Sequence, residues 1–325
     1  MNGQPTPQVP SDRPIRLYTP PATLTGRLWA WRYLILRRFT QFGVLLLFFG
    51  TAHWGWQVMG APLLTGNLSA SEFAGLFPMA DPFAALQILA TRHMLASEVL
   101  IGAGIVLAFY TLVGGRMFCA WVCPVNAVSD LAAWLQARLG WGNVLHLQRN
   151  LRYYALGSAL LLSAATGLAA FEWVSPIAML HREVIFGIGM GLIGVAGIFL
   201  FDLMVLRHGW CGHLCPLGAF YALLGRFAQL RVRFDARTCT RCGECIRVCP
   251  EPQVLKLDQA AQAGMVRSGE CTNCLRCVPI CPEDSLSFDL RPLIRSHNAG
   301  RWNEPDAGTQ PVAIDPPQVT ERSRT

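Results

Sequence analysis

The sequence predicts an α-helical membrane protein of four transmembrane helices in two hairpin repeats, joined to a small α+β domain built on cysteines. Three observations carry this reading. Four apolar stretches each approach the ~20 residues a helix needs to cross a bilayer. Charged residues make up only 14% of the chain and hydrophobic ones 52%, against ~25% charged in soluble domains. Eight of the 12 cysteines fall between Cys239 and Cys281.

Residues 1–26 are polar and Pro-rich, and are expected to be disordered. No small-residue cleavage site follows the first apolar run, so this segment does not read as a signal peptide. A membrane domain is expected over 27–234, with spans at 40–59, 95–114, 153–171 and 184–206. Tryptophans flank the first and third (Trp54, Trp56, Trp173), as at membrane interfaces.

The arginines set the expected orientation. Arg27, Arg32, Arg37 and Arg38 precede the first span, Arg116, Arg138, Arg149 and Arg152 lie between the second and third, and Arg207, Arg226, Arg231 and Arg233 follow the fourth. The basic side faces the cytoplasm, so a multi-pass inner-membrane protein is expected with both termini and the cysteine-rich domain inside. This placement, and not nucleic-acid binding, accounts for the net charge of +7. The outer loop over 60–94 ends in an amphipathic pattern (Phe83, Leu86, Ile88, Leu89) that predicts a short helix lying on the outer interface. Residues 291–325 are expected to be a disordered tail.

Residues 235–290 carry the most specific signal. Cys239, Cys242, Cys245 and Cys249 precede Pro250, and Cys271, Cys274, Cys277 and Cys281 precede Pro282. Both runs read C-x2-C-x2-C-x3-C-P, the pattern that holds two [4Fe-4S] clusters in bacterial ferredoxins, where the fourth cysteine of each run ligates the other cluster. The expected ligand sets are Cys239, Cys242, Cys245 and Cys281 for one cluster, and Cys249, Cys271, Cys274 and Cys277 for the other. Structural zinc, which takes two ligands from each of two separated pairs, fits this repeat poorly.

The other four cysteines form two C-x3-C-P motifs, Cys119/Cys123 and Cys211/Cys215, offset by 92 residues (211 − 119). Such a duplication predicts two parallel repeats. Two pairs brought together would make an additional four-thiolate redox or metal site. Redox-active thiols, docking against the ferredoxin segment and plain burial are the other readings of the same residues.

Ionisable residues near the apolar stretches are candidates for proton transfer. His53, His93 and Glu98 fall at one expected depth on the outer side. Asp202 falls near the inner end of the fourth stretch, where Arg207 is its expected partner. No Cys-x-x-Cys-His haem motif, G-x-G-x-x-G fingerprint or P-loop occurs.

Across about residues 30–290 the chain resembles the NapH/MauN family of ferredoxin-type membrane proteins. The resemblance rests on the run from Phe77 to Pro82, on Phe118-Cys-Ala-Trp-Val-Cys-Pro-Val-Asn, on Phe201-Asp202 leading into His208-Gly-Trp-Cys-Gly-His-Leu-Cys-Pro, and on Cys249-Pro-Glu-Pro-Gln-Val-Leu. It implies a quinol dehydrogenase subunit that oxidises ubiquinol or menaquinol. Electrons would pass through two [4Fe-4S] clusters toward a periplasmic nitrate reductase, with a NapG-type ferredoxin as partner. The alternative is an accessory membrane ferredoxin for maturation or redox sensing, including a role in methylamine utilisation.

Overall fold

The structure, a computed structural model, describes residues 15–58, 60–187 and 189–294. Helix α1 (Leu24–Trp54) begins where the Thr23 hydroxyl accepts the Gly26 N–H and ends at Gly55 in the left-handed region (φ 64°). Strands β1 (Gln57–Val58) and β2 (Ala61–Pro62) form a small hairpin, and β3 (Leu64–Gly66), β4 (Ala70–Phe73) and β5 (Phe77–Ala80) an antiparallel meander. Asp81 then caps α2 (Pro82–Ala90), with proline at its first turn. The body continues through α3 (Ser97–Val113), α4 (Met117–Trp121), α5 (Val125–Leu139), α6 (Leu151–Thr166), α7 (Ala170–Val174), α8 (Pro176–Phe186) and α9 (Gly191–Met204). A π-helical turn (Trp210–Leu214) leads into α10 (Pro216–Leu224). The cysteine-rich segment holds β6 (Leu230–Phe234), α11 (Glu244–Val248), α12 (Leu257–Ala263) and β7 (Leu286–Leu290). Strands β6 and β7 pair antiparallel, Leu230 with Leu290 and Phe234 with Leu286, so this unit's sheet starts at Leu230, ahead of residue 235.

The expectation of four transmembrane helices is overturned. Among the described residues only α1 is long and apolar enough to cross a membrane, at 31 residues or about 46 Å. The other stretches form shorter helices of 17, 16 and 14 residues. The reason is glycine. Gly114 and Gly167 cap α3 and α6, and Gly187 ends α8, dividing the fourth stretch before α9 begins. The expected interfacial helix over 83–93 is also placed differently. Phe83 of α2 is 0% exposed and packs against the rings of Phe171 and Phe220, so α2 belongs to the core.

Residues 1–14 and the tail from 295 lie outside the described residues; Arg291 to Ile294 form a short helical turn, with Ile294 buried.

Two apolar cores result. One gathers Phe83, Phe118, Val125, Leu156, Phe171, Ile177, Leu217 and Tyr221 in the helical body. The other gathers Val232, Phe234, Val254, Leu255, Val266, Leu275 and Leu286 in the ferredoxin-like unit, with Trp121 and Tyr33 of the body packed against it. Glycines close the seam. A Cβ on Gly225 would run into the Gly269 carbonyl, and one on Gly269 into the Ala222 carbonyl, so the end of α10 and the cysteine-rich unit touch backbone to backbone.

Candidate redox centres

All 12 cysteines are free and line three cavities, four to each. Cys239, Cys242, Cys245 and Cys281 line a cavity of about 350 Å³ with its open mouth included. Arg241 (φ 55°) and Gly243 (φ 78°) turn the backbone around it. The Arg241 and Ser285 N–H groups donate to the sulfurs of Cys239 and Cys281 at 3.4 and 3.3 Å. Cys249, Cys271, Cys274 and Cys277 surround a second volume, about 360 Å³, where Asn273 and Leu275 take positive φ. In each quartet three cysteines come from one run and the fourth from the other.

The third cavity, about 630 Å³ with its open mouth included, lies where the helical body meets Pro250, Glu251 and Thr272, and is lined by Cys119, Cys123, Cys211 and Cys215. Reciprocal packing builds it. Helix α5, which follows the first C-x3-C-P motif, packs against α9, which precedes the second; α10 in turn packs against α3 and α6. Both motifs close the same way. The Cys123 N–H reaches the Phe118 carbonyl at 3.0 Å and the Cys215 N–H the Trp210 carbonyl at 2.9 Å, each five residues back. This is π-type geometry, which concentrates at functional sites. Burial pushes the Cys215 thiol up to about 12 and raises those of Cys119, Cys123 and Cys211, so these thiols stay protonated and poorly nucleophilic at neutral pH without a metal.

Several arginines that the sequence assigned to orientation are buried ion partners instead. Arg116 donates to Glu251 at 2.6 Å, to the Glu270 carbonyl at 3.0 Å and to the Cys211 carbonyl at 3.1 Å. Arg149 and Arg152 also pair with Glu251, and Arg152 with Glu270. Burial alone would raise the Glu251 carboxyl, but the three guanidiniums outweigh it and hold the pKa at about 2. Asp130 of α5 joins Arg37 and Arg38 of α1 to Arg276, which sits between two cysteines of the second quartet. Arg231 bonds the carbonyls of Ala228 and Ser268. Trp121, inside the first C-x3-C-P motif, donates its indole N–H to the Asn273 carbonyl at 3.0 Å. Sequence reading missed this coupling because the carboxylates, Glu251 and Asp130, lie far along the chain from the arginines they meet.

The proton-transfer candidates are not brought together. His53 meets the Ile185 carbonyl at 2.8 Å and stacks on Phe49. His93 bonds Thr91, and Glu98 is exposed in the first turn of α3. No hydrogen bond or ion pair joins the three. Asp202 is buried, but its partners are the Ser129 hydroxyl and the Trp210 N–H, not Arg207. Ser129 in turn faces Nδ1 of His208, a cavity-lining residue that sequence reading passed over. In the sequence it appears only as the start of the run leading to Cys211 and Cys215, with no role attached.

A family model described as a 4Fe-4S binding domain matches twice, over 95–142 and 188–234, and one described as a 4Fe-4S dicluster domain matches 231–282. The first matches span the two motif-bearing halves of the body; the other spans the cysteine-rich unit. Methylamine utilization ferredoxin-type protein MauN of Methylorubrum extorquens is 44% identical over 71% of this chain and 79% of its own length. Ferredoxin-type protein NapH is 42% identical in Escherichia coli, over 69% of this chain and 77% of its own, and 41% identical in Haemophilus influenzae, over 70% and 79%. No solved structure matches. With four-cysteine cavities, 4Fe-4S domain matches across both units and relatives aligned over most of their length, this chain belongs to the NapH/MauN family of ferredoxin-type electron-transfer proteins.

Proposed function

We propose that this protein is a membrane-associated quinol dehydrogenase subunit that relays electrons through two [4Fe-4S] clusters. Cys239, Cys242, Cys245 and Cys281 hold one cluster, and Cys249, Cys271, Cys274 and Cys277 the other. Bound there, the clusters accept and release single electrons. The chain supplies the thiolates, the N–H groups that bond to them, and a shell that limits solvent access.

The observation that supports this reading is the buried joint between a body with an exposed apolar surface and the cysteine-rich unit. Ile101, Ile105, Phe109 and Leu112 of α3 and Ile193 and Leu200 of α9 are exposed, an apolar surface suited to lipid. The same body is tied to the cysteine-rich unit by the buried Arg116–Glu251 pair and by Asp130. A donor dissolved in the bilayer, ubiquinol or menaquinol, therefore suits the clusters better than a soluble carrier. The arginine-bearing half of α1 lies beside the cysteine-rich unit through Arg37, Arg38 and Asp130. On this reading both face the cytoplasm.

Downstream, a NapG-type ferredoxin and periplasmic nitrate reductase components are the proposed partners. A methylamine-utilisation role is the second reading, favoured by the relative of that name at 44% identity. The test is anaerobic mixing of the purified, cluster-loaded protein with ubiquinol and menaquinol analogues, followed by loss of the iron–sulfur absorbance. Reduction on the timescale of turnover is expected. Clusters that dithionite reduces but quinol does not would overturn the reading in favour of an accessory maturation or sensing role.

A further inference from the structure

We propose that the cavity between the two C-x3-C-P motifs also takes the quinol ring, and that Nε2 of His208 is the base that accepts a proton from its hydroxyl. This inference rests on the quinol reading above and gives it a site. None of the candidates picked out in the sequence, His53, His93, Glu98 or Asp202, lines this cavity. His208 does, together with the apolar side chains of Phe118, Val125, Phe171, Ile177 and Leu217.

Room and lining suit an aromatic ring. With their open mouths included, the three cavities measure about 630, 350 and 360 Å³. Each of the smaller two is lined by one cysteine quartet. The larger exceeds them by about 270 Å³ (630 − 360), so space remains for a ligand beside a group held by its four cysteines. A mostly apolar wall with a few convergent polar groups is the usual form of a small-molecule site. Arg116, the arginine on this wall, is already committed to Glu251 and two carbonyls, which favours a neutral ligand over an anionic one.

His208 shows what the ligand must offer. The residue is 4% exposed, and its Nε2 has no partner among the described residues. Its Nδ1 lies 3.1 Å from the Ser129 oxygen. Ser129 has a single hydroxyl proton and donates it to the buried Asp202 carboxylate. The Ser129 oxygen can then only accept from His208, which fixes the proton of the neutral ring on Nδ1 and leaves a bare lone pair on Nε2. The charged groups facing the ring are Asp130 and Glu251 against Arg207 and Arg276, so they balance (2 − 2). Burial then decides, and keeps the imidazole neutral by lowering its pKa to about 4. A buried acceptor without a donor costs stability. A quinol hydroxyl supplies the donor.

The reaction balances on groups already placed. Quinol loses two electrons and two protons and leaves as quinone. One hydroxyl O–H bond breaks as its proton goes to Nε2 of His208; the other proton leaves to water through the open mouth of the cavity. The electrons pass singly to the oxidised cluster of Cys249, Cys271, Cys274 and Cys277, whose cavity shares Glu251 and Thr272 with this one. Asp202, acting through Ser129, orients the ring and stabilises the imidazolium that forms, as a buried carboxylate does behind a histidine base. The imidazolium gives its proton to water once the quinone has left.

The test uses the full, cluster-loaded chain in detergent and two measurements. In the first, a short-chain ubiquinone bearing an azido group is photolysed with the protein, and labelled peptides are identified by mass spectrometry. Label is expected within 118–125, 171–177 or 208–218; label confined to other segments, or none, overturns the site. In the second, anaerobic cluster reduction by decylubiquinol is compared with reduction by dithionite. His208→Gln, whose amide can accept a hydrogen bond but not a proton, is expected to slow the quinol reaction roughly 100-fold. Its dithionite rate and iron content should match the wild type, and the matching iron content shows that the variant has folded. Ser129→Ala keeps the base but releases its tautomer; it should fall between the wild type and His208→Gln, and serves if His208→Gln loses its clusters. A wild-type quinol rate in the variant used overturns the proposal and leaves the quinol reading standing. A wild type that dithionite reduces and quinol does not overturns the quinol reading itself.

Discussion

The cysteine-rich unit and the helical body each gather cysteines in fours, but by opposite means. In the cysteine-rich unit three of each four lie within seven residues, positioned by local turns at Arg241, Gly243, Asn273 and Leu275. In the body, two pairs 92 residues apart meet only because α5 and α10 exchange partners. The first arrangement is set by short-range backbone geometry; the second depends on packing, buried charge and glycine contacts. Variants at the two should therefore fail differently.

The largest effect is expected in the local quartets. Cys274→Ser should remove about four irons and stop electron flow through the cysteine-rich unit while leaving the helical content of the body unchanged. Iron counting and circular dichroism check both halves. Glu251→Gln attacks the joint. It leaves Arg116 buried without its carboxylate and Arg152 with Glu270 alone, and should cost about 3–5 kcal/mol. The loss should appear as earlier unfolding and as faster hydrogen exchange at the seam. Gly225→Ala should loosen the same seam by steric means, because its new methyl meets the Gly269 carbonyl. Weakened retention of the second cluster, read by EPR after mild heating, checks this.

Acid should separate the regions next. The Asp130 carboxyl is held at about 2: burial raises it, and Arg276, His208, Arg37 and Arg38 outweigh that. Because the folded value is depressed, its stabilisation is fully present above the unfolded value near 3.8 and is lost as pH falls toward 2. The contribution is of order 2 kcal/mol. Denaturant midpoints measured across that window should fall for the wild type and less steeply for Asp130→Asn. The smallest effects belong to the outer residues. His53→Ala, His93→Ala and Glu98→Gln each should change stability by no more than about 0.5 kcal/mol and leave quinol-driven reduction unchanged, since none of the three meets another.

How much was legible follows the same division. The spacing from Cys239 to Pro282 is a one-dimensional signal, and so is the doubling of C-x3-C-P. The helix count was not legible, because apolar runs over 153–171 and 184–206 look continuous by composition while Gly167 and Gly187 divide the backbone. The arginines misled for a different reason. Arg116 and Arg152 stand beside apolar runs, as topology signals do, but their partner Glu251 is about 100 or more residues away. His208 opens the run that leads into the second C-x3-C-P motif, but nothing along the chain announces its contact with Ser129, which comes through the packing of α5 on α9.

Two cysteine quartets, each completed by one cysteine of the other run, carry the proposed electron path. An iron anomalous difference map from crystals of the anaerobically loaded full chain tests it most directly. Two separate iron peaks are expected in the cysteine-rich unit, with Cys281 on the cluster of Cys239 and Cys249 on that of Cys271. Iron bound by Cys239, Cys242, Cys245 and Cys249 together would contradict it.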